Sequence, residues 1–441
     1  MPANLNPPAP PLDGAAIVAK LTLRLVPFLF LLYIVAYLDR INVGFAKLQM
    51  SSQLHFSEAV YGLAAGMFFA GYFFFQVPSN LILRRIGARR WICLLMVVWG
   101  TISASMMFVT TVRSFYTLRF LLGLAEAGFF PGMIFYLRSW FPASARARTG
   151  ALFMTAGPLS GVLGGPISGA LLSLHRDGGL AGWQWLFLLE GLPAIFLGIV
   201  VYFLLEDSPG DARWLSPDER TWLAETLRQE DAAKTGAHGT APWWRIFLDV
   251  RVWLFALVYF CLNTSSYGIG LWLPSVLKNL SSRGNLEIGI LSAIPYLTAA
   301  VGMVLAGQHS DRTGERRWHV AVAALVASGA LLLAAASTTT AATVAAFSLA
   351  VLGINCMLGP FWAMPGTLLT GATASAGIAL INSIGNLGGF FGTLILGLAK
   401  TSSGNFKGGL SLLAGGMAIG AVLVLLVRMP EPSSDRSPTS P

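Results

Sequence analysis

Charge is what this sequence has least of. Only 11% of its 441 residues are Asp, Glu, Lys or Arg, where a soluble domain carries about 25%. With 55% hydrophobic residues and a mean hydropathy of +0.67, there is too little polar surface to coat a water-facing globule. Lipid must be the solvent for most of the chain. Cysteine is nearly absent: Cys93, Cys261 and Cys356 stand alone inside apolar runs. That excludes a cysteine metal motif and leaves them as small core hydrophobes. His55, His175, His238, His309 and His319 fall in loops or at the ends of apolar runs, so no histidine relay is implied at membrane depth. No nucleophile–base pair, phosphate loop or metal cluster stands out, which argues against an enzyme. A cleavable signal peptide is also not expected, because the first apolar run is too long and carries charge.

Long apolar runs are abundant instead. A spanning helix needs about 20 mostly apolar residues. Such runs lie near 24–46, 58–83, 91–111, 114–137, 147–174, 184–205, 247–277, 287–308, 318–336, 341–368, 375–399 and 408–427. These twelve spans imply an all-α membrane protein. An N-terminal six-helix half occupies 1–205 and a C-terminal half 247–441. The only long polar stretch, 206–246, lies between them, with a short surface helix starting at Pro217. The proline-rich opening, Met1 to Gly14, and the Pro/Ser-rich end, 429–441, read as disordered tails.

The formal net charge is +9, yet the basic residues form neither one face nor one tail, so no nucleic-acid partner is implied. They gather in short loops: Arg84, Arg85, Arg89 and Arg90 after span two, Arg138, Arg146 and Arg148 after span four, and Arg312, Arg316 and Arg317 after span eight. By the positive-inside rule these loops, both termini and the central stretch are cytoplasmic. The halves also repeat, with Asn80-Leu-Ile-Leu-Arg-Arg-Ile-Gly-Ala-Arg-Arg90 answered by Gly307-Gln-His-Ser-Asp-Arg-Thr-Gly-Glu-Arg-Arg317. Paired six-helix halves are a recognised transporter plan, with the binding site between them at the midplane.

Four ionisable residues interrupt the runs: Asp39 and Arg40 in span one, Arg119 and Glu126 in span four. Such residues are costly in lipid and normally face a wet interior path. Neighbours on a helix point about 100° apart, so Asp39 and Arg40 cannot both face one partner. Arg119 and Glu126 are two turns apart, too far for an intrahelical pair, which needs a spacing of three or four. Each must look to another helix or to a cavity. Glu190 in span six, flanked by Trp183 and Trp185, reads as a structural residue near the outer interface. Three polar pairs share helix faces one turn apart: Tyr72 and Gln76, Asn263 and Tyr267, Asn382 and Asn386. Each pair can bond a ligand or a neighbouring helix.

The 307–317 stretch, with Gly307, Asp311, Arg312, Gly314, Arg316 and Arg317, resembles the cytoplasmic loop signature of the major facilitator superfamily. The first copy keeps Arg85, Gly87, Arg89 and Arg90 but has Asn80 for Gly and Arg84 for Asp. Tyr37-Leu-Asp-Arg-Ile-Asn-Val-Gly-Phe-Ala46, Arg119-Phe-Leu-Leu-Gly-Leu-Ala-Glu-Ala-Gly-Phe-Phe-Pro-Gly132 and Ser208-Pro-Gly-Asp-Ala-Arg-Trp-Leu-Ser-Pro-Asp-Glu219 are similar to the anion:cation symporter family within it. That resemblance implies the twelve-helix fold, proton-coupled uptake of organic carboxylates such as tartrate or sugar acids, no cofactor beyond the proton, a monomer, and the inner membrane of the cell. It implies that Asp39 and Glu126 carry protons, that Arg40 and Arg119 are the buried arginines serving substrate, and that Tyr72, Trp362 and Asn386 line the site. Gln76, Asn263, Tyr267 and Asn382 join them as polar candidates.

Two alternatives remain beside a proton-coupled carrier. Span five (Gly161, Gly165, Pro166, Gly169) partly fits a drug/proton antiporter signature, but Leu152 and Ala170 replace two of its glycines, and it reads as a pliable packing helix. A nutrient sensor would need a long signalling extension, which tails of roughly 23 and 14 residues do not supply.

Overall fold

A computed structural model describes residues 13–174, 179–236, 243–368 and 371–427. Among these, twelve helices are long and apolar enough to cross a membrane. Spans one to six are Gly14–Gln53, Glu58–Leu83, Ala88–Phe108, Val112–Trp140, Ala143–Leu174 and Gly182–Leu204. Spans seven to twelve are Val250–Asn279, Asn285–Thr313, Arg317–Ala336, Thr340–Leu368, Ala376–Ser403 and Lys407–Leu426.

Span one starts earlier than its apolar run. The Asp13 carboxylate accepts from the Ala15 N–H at 2.9 Å, which caps the helix by satisfying a free donor. Gly14, expected in a tail, is therefore the first helical residue. His175, His238 and 429–441 lie outside the described residues. Pro217 does open a helix, Pro217–Gly236. It is tied to the termini side by Lys20–Glu219 at 2.7 Å and Arg146–Glu230 at 2.8 Å.

The polarity is that of a protein solvated by lipid. Phe74, Phe196, Phe203, Leu305 and Ile419 are exposed, while Asp39, Arg40, Arg119, Glu126 and Glu190 are buried. In lipid the apolar side chains need no burial, and the interior can hold the polar ones. Cys93, Cys261 and Cys356 are free and half-buried within helices.

The two halves meet most closely at the end remote from the termini. There Gly165 of span five lies against the Gly289 backbone of span eight, so closely that a Cβ on either would overlap the other's carbonyl. Gly62 of span two approaches Thr393 and Gly397 of span eleven, and Gly44 approaches Leu271. Small residues permit such backbone contact. Toward the termini side the spacing opens: Gly157 of span five and Gly307 of span eight have open space where a Cβ would stand. The far side is thus closed by backbone contacts between the halves.

The repeated loops differ in how they are held. Gly87, at φ 89°, turns span two into span three, a conformation that glycine adopts without strain. A Cβ there would strike the Asp207 carboxylate, which accepts from the Arg89 N–H at 2.9 Å. Asp207, after span six, thereby supplies the acid that Arg84 replaces in the first copy; the Arg84 side chain lies outside the described residues. In the second copy Arg316 pairs with Asp311 at 2.7 Å and donates to Ser310 at 3.0 Å, Gly314 caps span eight at φ 70°, and Arg317 donates to the Leu425 carbonyl. Arg85, Arg90 and Arg312 are exposed.

If the far-side seal must form and break during function, Gly165→Val wedges it apart. Overpacking costs about 1–3 kcal/mol, enough to shift a two-state equilibrium about 5- to 150-fold. Cysteine labelling from the far side should rise at span-eight positions near Gly289, and unchanged labelling would show that the seal is not a gate.

Candidate functional site

The two charges of span one point to different places. Asp39 faces span three, where its carboxylate accepts from Ser103 Oγ at 2.7 Å and from Trp99 Nε1 at 3.1 Å. Arg40 faces the middle of the molecule. Its Nε donates to Glu126 Oε1 at 3.0 Å, its Nη2 closes on the same oxygen, and its Nη1 donates to the Tyr267 hydroxyl at 3.0 Å. Glu126 belongs to the first six spans and Tyr267 to span seven, so one guanidinium joins both halves.

Local sequence explains how Glu126 reaches this position. Span four is two helices, Val112–Glu126 and Phe129–Trp140. Pro131 has no N–H to offer the carbonyl of Ala127, and the helix breaks directly after Glu126. Its carboxylate is fully buried, with Oε2 lacking a hydrogen bond.

Arg119 is the anomaly. It is 0% exposed, and Nε, Nη1 and Nη2 all lack hydrogen-bond partners. Its guanidinium carbon lies 5.0 Å from the Phe68 ring centre, and that of Arg40 lies 5.4 Å from the same ring and 5.4 Å from Tyr72. One aromatic ring is therefore flanked by two cations. Cation–π attraction is worth about 2 kcal/mol when desolvated, far from compensating a buried guanidinium without an anion.

The other candidates divide. Tyr72 sits under Arg40, and Tyr267 bonds it while its ring packs 4.4 Å from Phe69. Trp362 packs on Tyr259 and Phe361. Asn263 is buried, with its amide nitrogen unpartnered. Asn386 donates to the Asn382 carbonyl within span eleven at 2.9 Å, and Asn382 itself is half-buried. Gln76 is committed elsewhere: its oxygen accepts from Ser383 Oγ at 3.1 Å, which ties span two to span eleven. Glu190 is only 5% exposed and faces protein inside the first six spans, where it accepts from Ser168 Oγ at 2.7 Å. Sequence reasoning missed Phe68, Trp99, Ser103 and Ser168. Phe68 was findable, since it lies one turn before Tyr72 on the same face.

Comparison with known proteins follows the same outline. A family model for the Major Facilitator Superfamily matches residues 29–393, and again 285–441. The chain belongs to that superfamily. A protein of Agrobacterium vitis named "Putative tartrate transporter" is 49% identical over 97% of this chain and 94% of its own length. A protein of Pseudomonas putida named "Putative metabolite transport protein NicT" is 44% identical over 93% of this chain and 94% of its own length. Among solved structures, the inward-open xylose transporter XylE of Escherichia coli superposes with a TM-score of 0.74 at 15% identity, covering 94% of this chain and 98% of that one. This facilitator is thus a membrane transporter and not an enzyme.

Unequal pairing of the two carboxylates yields a stability ordering. Glu126→Ala leaves Arg40 buried without its counter-ion, a loss of about 3–5 kcal/mol. Asp39→Asn keeps an acceptor for neutral donors and costs about 1 kcal/mol. Thermal unfolding of the purified carrier should show the larger fall for Glu126→Ala; the reverse order would mean that Asp39 has an ionic partner.

Proposed function

We propose that this facilitator moves a small organic anion together with protons, exposing one central site to each side of the membrane in turn. The observation that carries the reading is the double grip of Arg40 on Glu126 of its own half and on Tyr267 of the other. Protonating Glu126 removes the counter-charge and frees the guanidinium fork. An arginine so released can take a carboxylate bidentately. As the substrate takes the place of Glu126, the link to Tyr267 is remade or lost, so the occupant of the site influences how the halves sit together. Proton and anion would then favour one another, with reciprocal coupling.

The charge count supports the same reading. With Asp39 and Glu126 ionised, Arg40 and Arg119 are matched and the site is neutral overall. With both protonated, two positive charges remain beside Phe68. Two cations flanking one ring suit a short dicarboxylate, and hydroxyl-binding Tyr72, Tyr267 and Asn263 suit a hydroxylated one. Tartrate is the first choice, and the Agrobacterium vitis relatives support it by name. Sugar acids and aromatic acids are the next candidates. No cofactor beyond the coupling proton is invoked, and the carrier is expected to act as a monomer. The arginines of the termini-side loops support an inner-membrane orientation with both termini cytoplasmic, which makes the sealed side external.

One relative favours a second reading. A quinolone resistance transporter of Acinetobacter baumannii is 38% identical over 94% of its own length, so anion or drug exchange is the alternative. Imposed gradients separate the two. In proteoliposomes an external acid pulse should drive uphill tartrate accumulation by the wild type. Glu126→Gln should abolish accumulation while leaving tartrate/tartrate exchange. Full gradient-driven accumulation in that variant would sink the proton-carrier role of Glu126, and pulse-independent uptake by the wild type would favour exchange.

A further inference from the structure

The interior of the first six spans holds a second polar cluster that the Arg40 site does not use. Glu190 of span six bonds Ser168 of span five at 2.7 Å through one oxygen, while its other oxygen has no partner. Asn42 of span one lies beside it. Asn42 is 1% exposed, and its carboxamide has no closer partner than Glu190 among the described residues. Asp39, one turn earlier on the same face of span one, is close enough to Glu190 for the two charges to repel. Span three contributes Trp99 and Ser103, both bonded to Asp39. No basic side chain makes an ion pair with either acid among the described residues: the buried guanidinium of Arg40 is spent on Glu126 and Tyr267, and Arg119 lies against Phe68.

The partners of Glu190 differ in kind from those of Glu126. Arg40 can only donate, so it favours an ionised Glu126. A serine hydroxyl and a carboxamide can each donate or accept. With Glu190 ionised, Asn42 offers it an N–H. With Glu190 protonated, its O–H can donate to the Asn42 oxygen after the amide turns over. Either state is satisfied by the same two side chains with little rearrangement. Two acids without a cation, buried near each other, also cannot both stay charged cheaply.

We propose that Glu190 is an additional proton-binding residue of this carrier, working with Asp39, with Asn42 and Ser168 as positioning residues that accept both of its protonation states. The reaction is a simple protonation: Glu190 carboxylate takes one proton from water, and returns it to water when the site empties. Its part in transport rests on the proton-coupled reading above, so the test has two arms.

The first arm needs no substrate. Infrared pH-difference spectra of the reconstituted full-length carrier, over about pH 5–9, should show a carboxylic-acid band that grows with acid. It should be missing in Glu190→Gln and displaced in Asn42→Ala, which removes a partner without touching the carboxyl. Identical spectra for wild type and Glu190→Gln overturn the assignment. The second arm counts protons taken up per tartrate by calorimetry in buffers of differing ionisation enthalpy. Glu190→Gln should lower the count by about one while leaving tartrate binding in place. An unchanged count, with the infrared band present, overturns its part in transport. A wild-type count of zero instead refutes proton coupling and leaves the infrared result standing on its own.

Discussion

The fork of Arg40 holds the centre of this protein together. It is one of few charged groups at membrane depth, and it is bonded at once to Glu126 in its own half and to Tyr267 in the other. A buried ion pair contributes little net stability compared with an apolar replacement, but breaking it on one side is costly. That asymmetry is useful in a carrier. The pair stays closed while Glu126 is ionised, and any event that neutralises Glu126 must be followed by arrival of another anion or by rearrangement of the arginine.

Arg119 gives that arrangement its bias. A guanidinium with no hydrogen-bond partner among the described residues is available to an incoming anion beside the Arg40 pair. The surroundings that tolerate it are aromatic: Phe68 accepts both guanidinium groups on its π-face. The far-side seal adds the mechanical half of the argument. Glycine contacts between spans five and eight bring backbones together without ion pairs, and a contact made of backbone and small side chains can be parted without stranding a charge.

Much of this was legible in the chain, and the reasons are physical. Twelve apolar runs follow from the length of the bilayer core, and the superfamily follows from the loop signature. The 100° rule correctly separated Asp39 from Arg40, since one turned to span three and the other to the centre. Seven-residue spacing correctly sent Glu126 to another helix. It could not reveal that the Arg119 guanidinium has no hydrogen-bond partner among the described residues, because an unmade bond is a property of three dimensions. The first loop copy looked defective with Arg84 in place of an acid. Its replacement, Asp207, lies 118 residues along from Arg89, and no local pattern connects them. Gln76 and Glu190 show the same limit. Period and position place a side chain on a face, but the partner across that face, Ser383 for one and Ser168 for the other, is chosen by packing.

The carboxylates can be ranked by what their partners are able to do. Glu126 is held by a donor that never releases its proton, so its ionised form is favoured until a substrate competes for the arginine. Asp39 has one fixed donor, the Trp99 indole, and one adaptable hydroxyl. Glu190 has two adaptable partners and no cation. The number of fixed donors holding the charged form therefore falls along that series, from a guanidinium to an indole to none. In the proton-coupled reading proposed above, Glu190 and Asp39 can take protons while Arg40 stays paired, and Glu126 is protonated only when an anion stands ready to take Arg40. An empty carrier would then avoid dissipating the gradient, because the one step that loosens the link between the halves waits for the substrate.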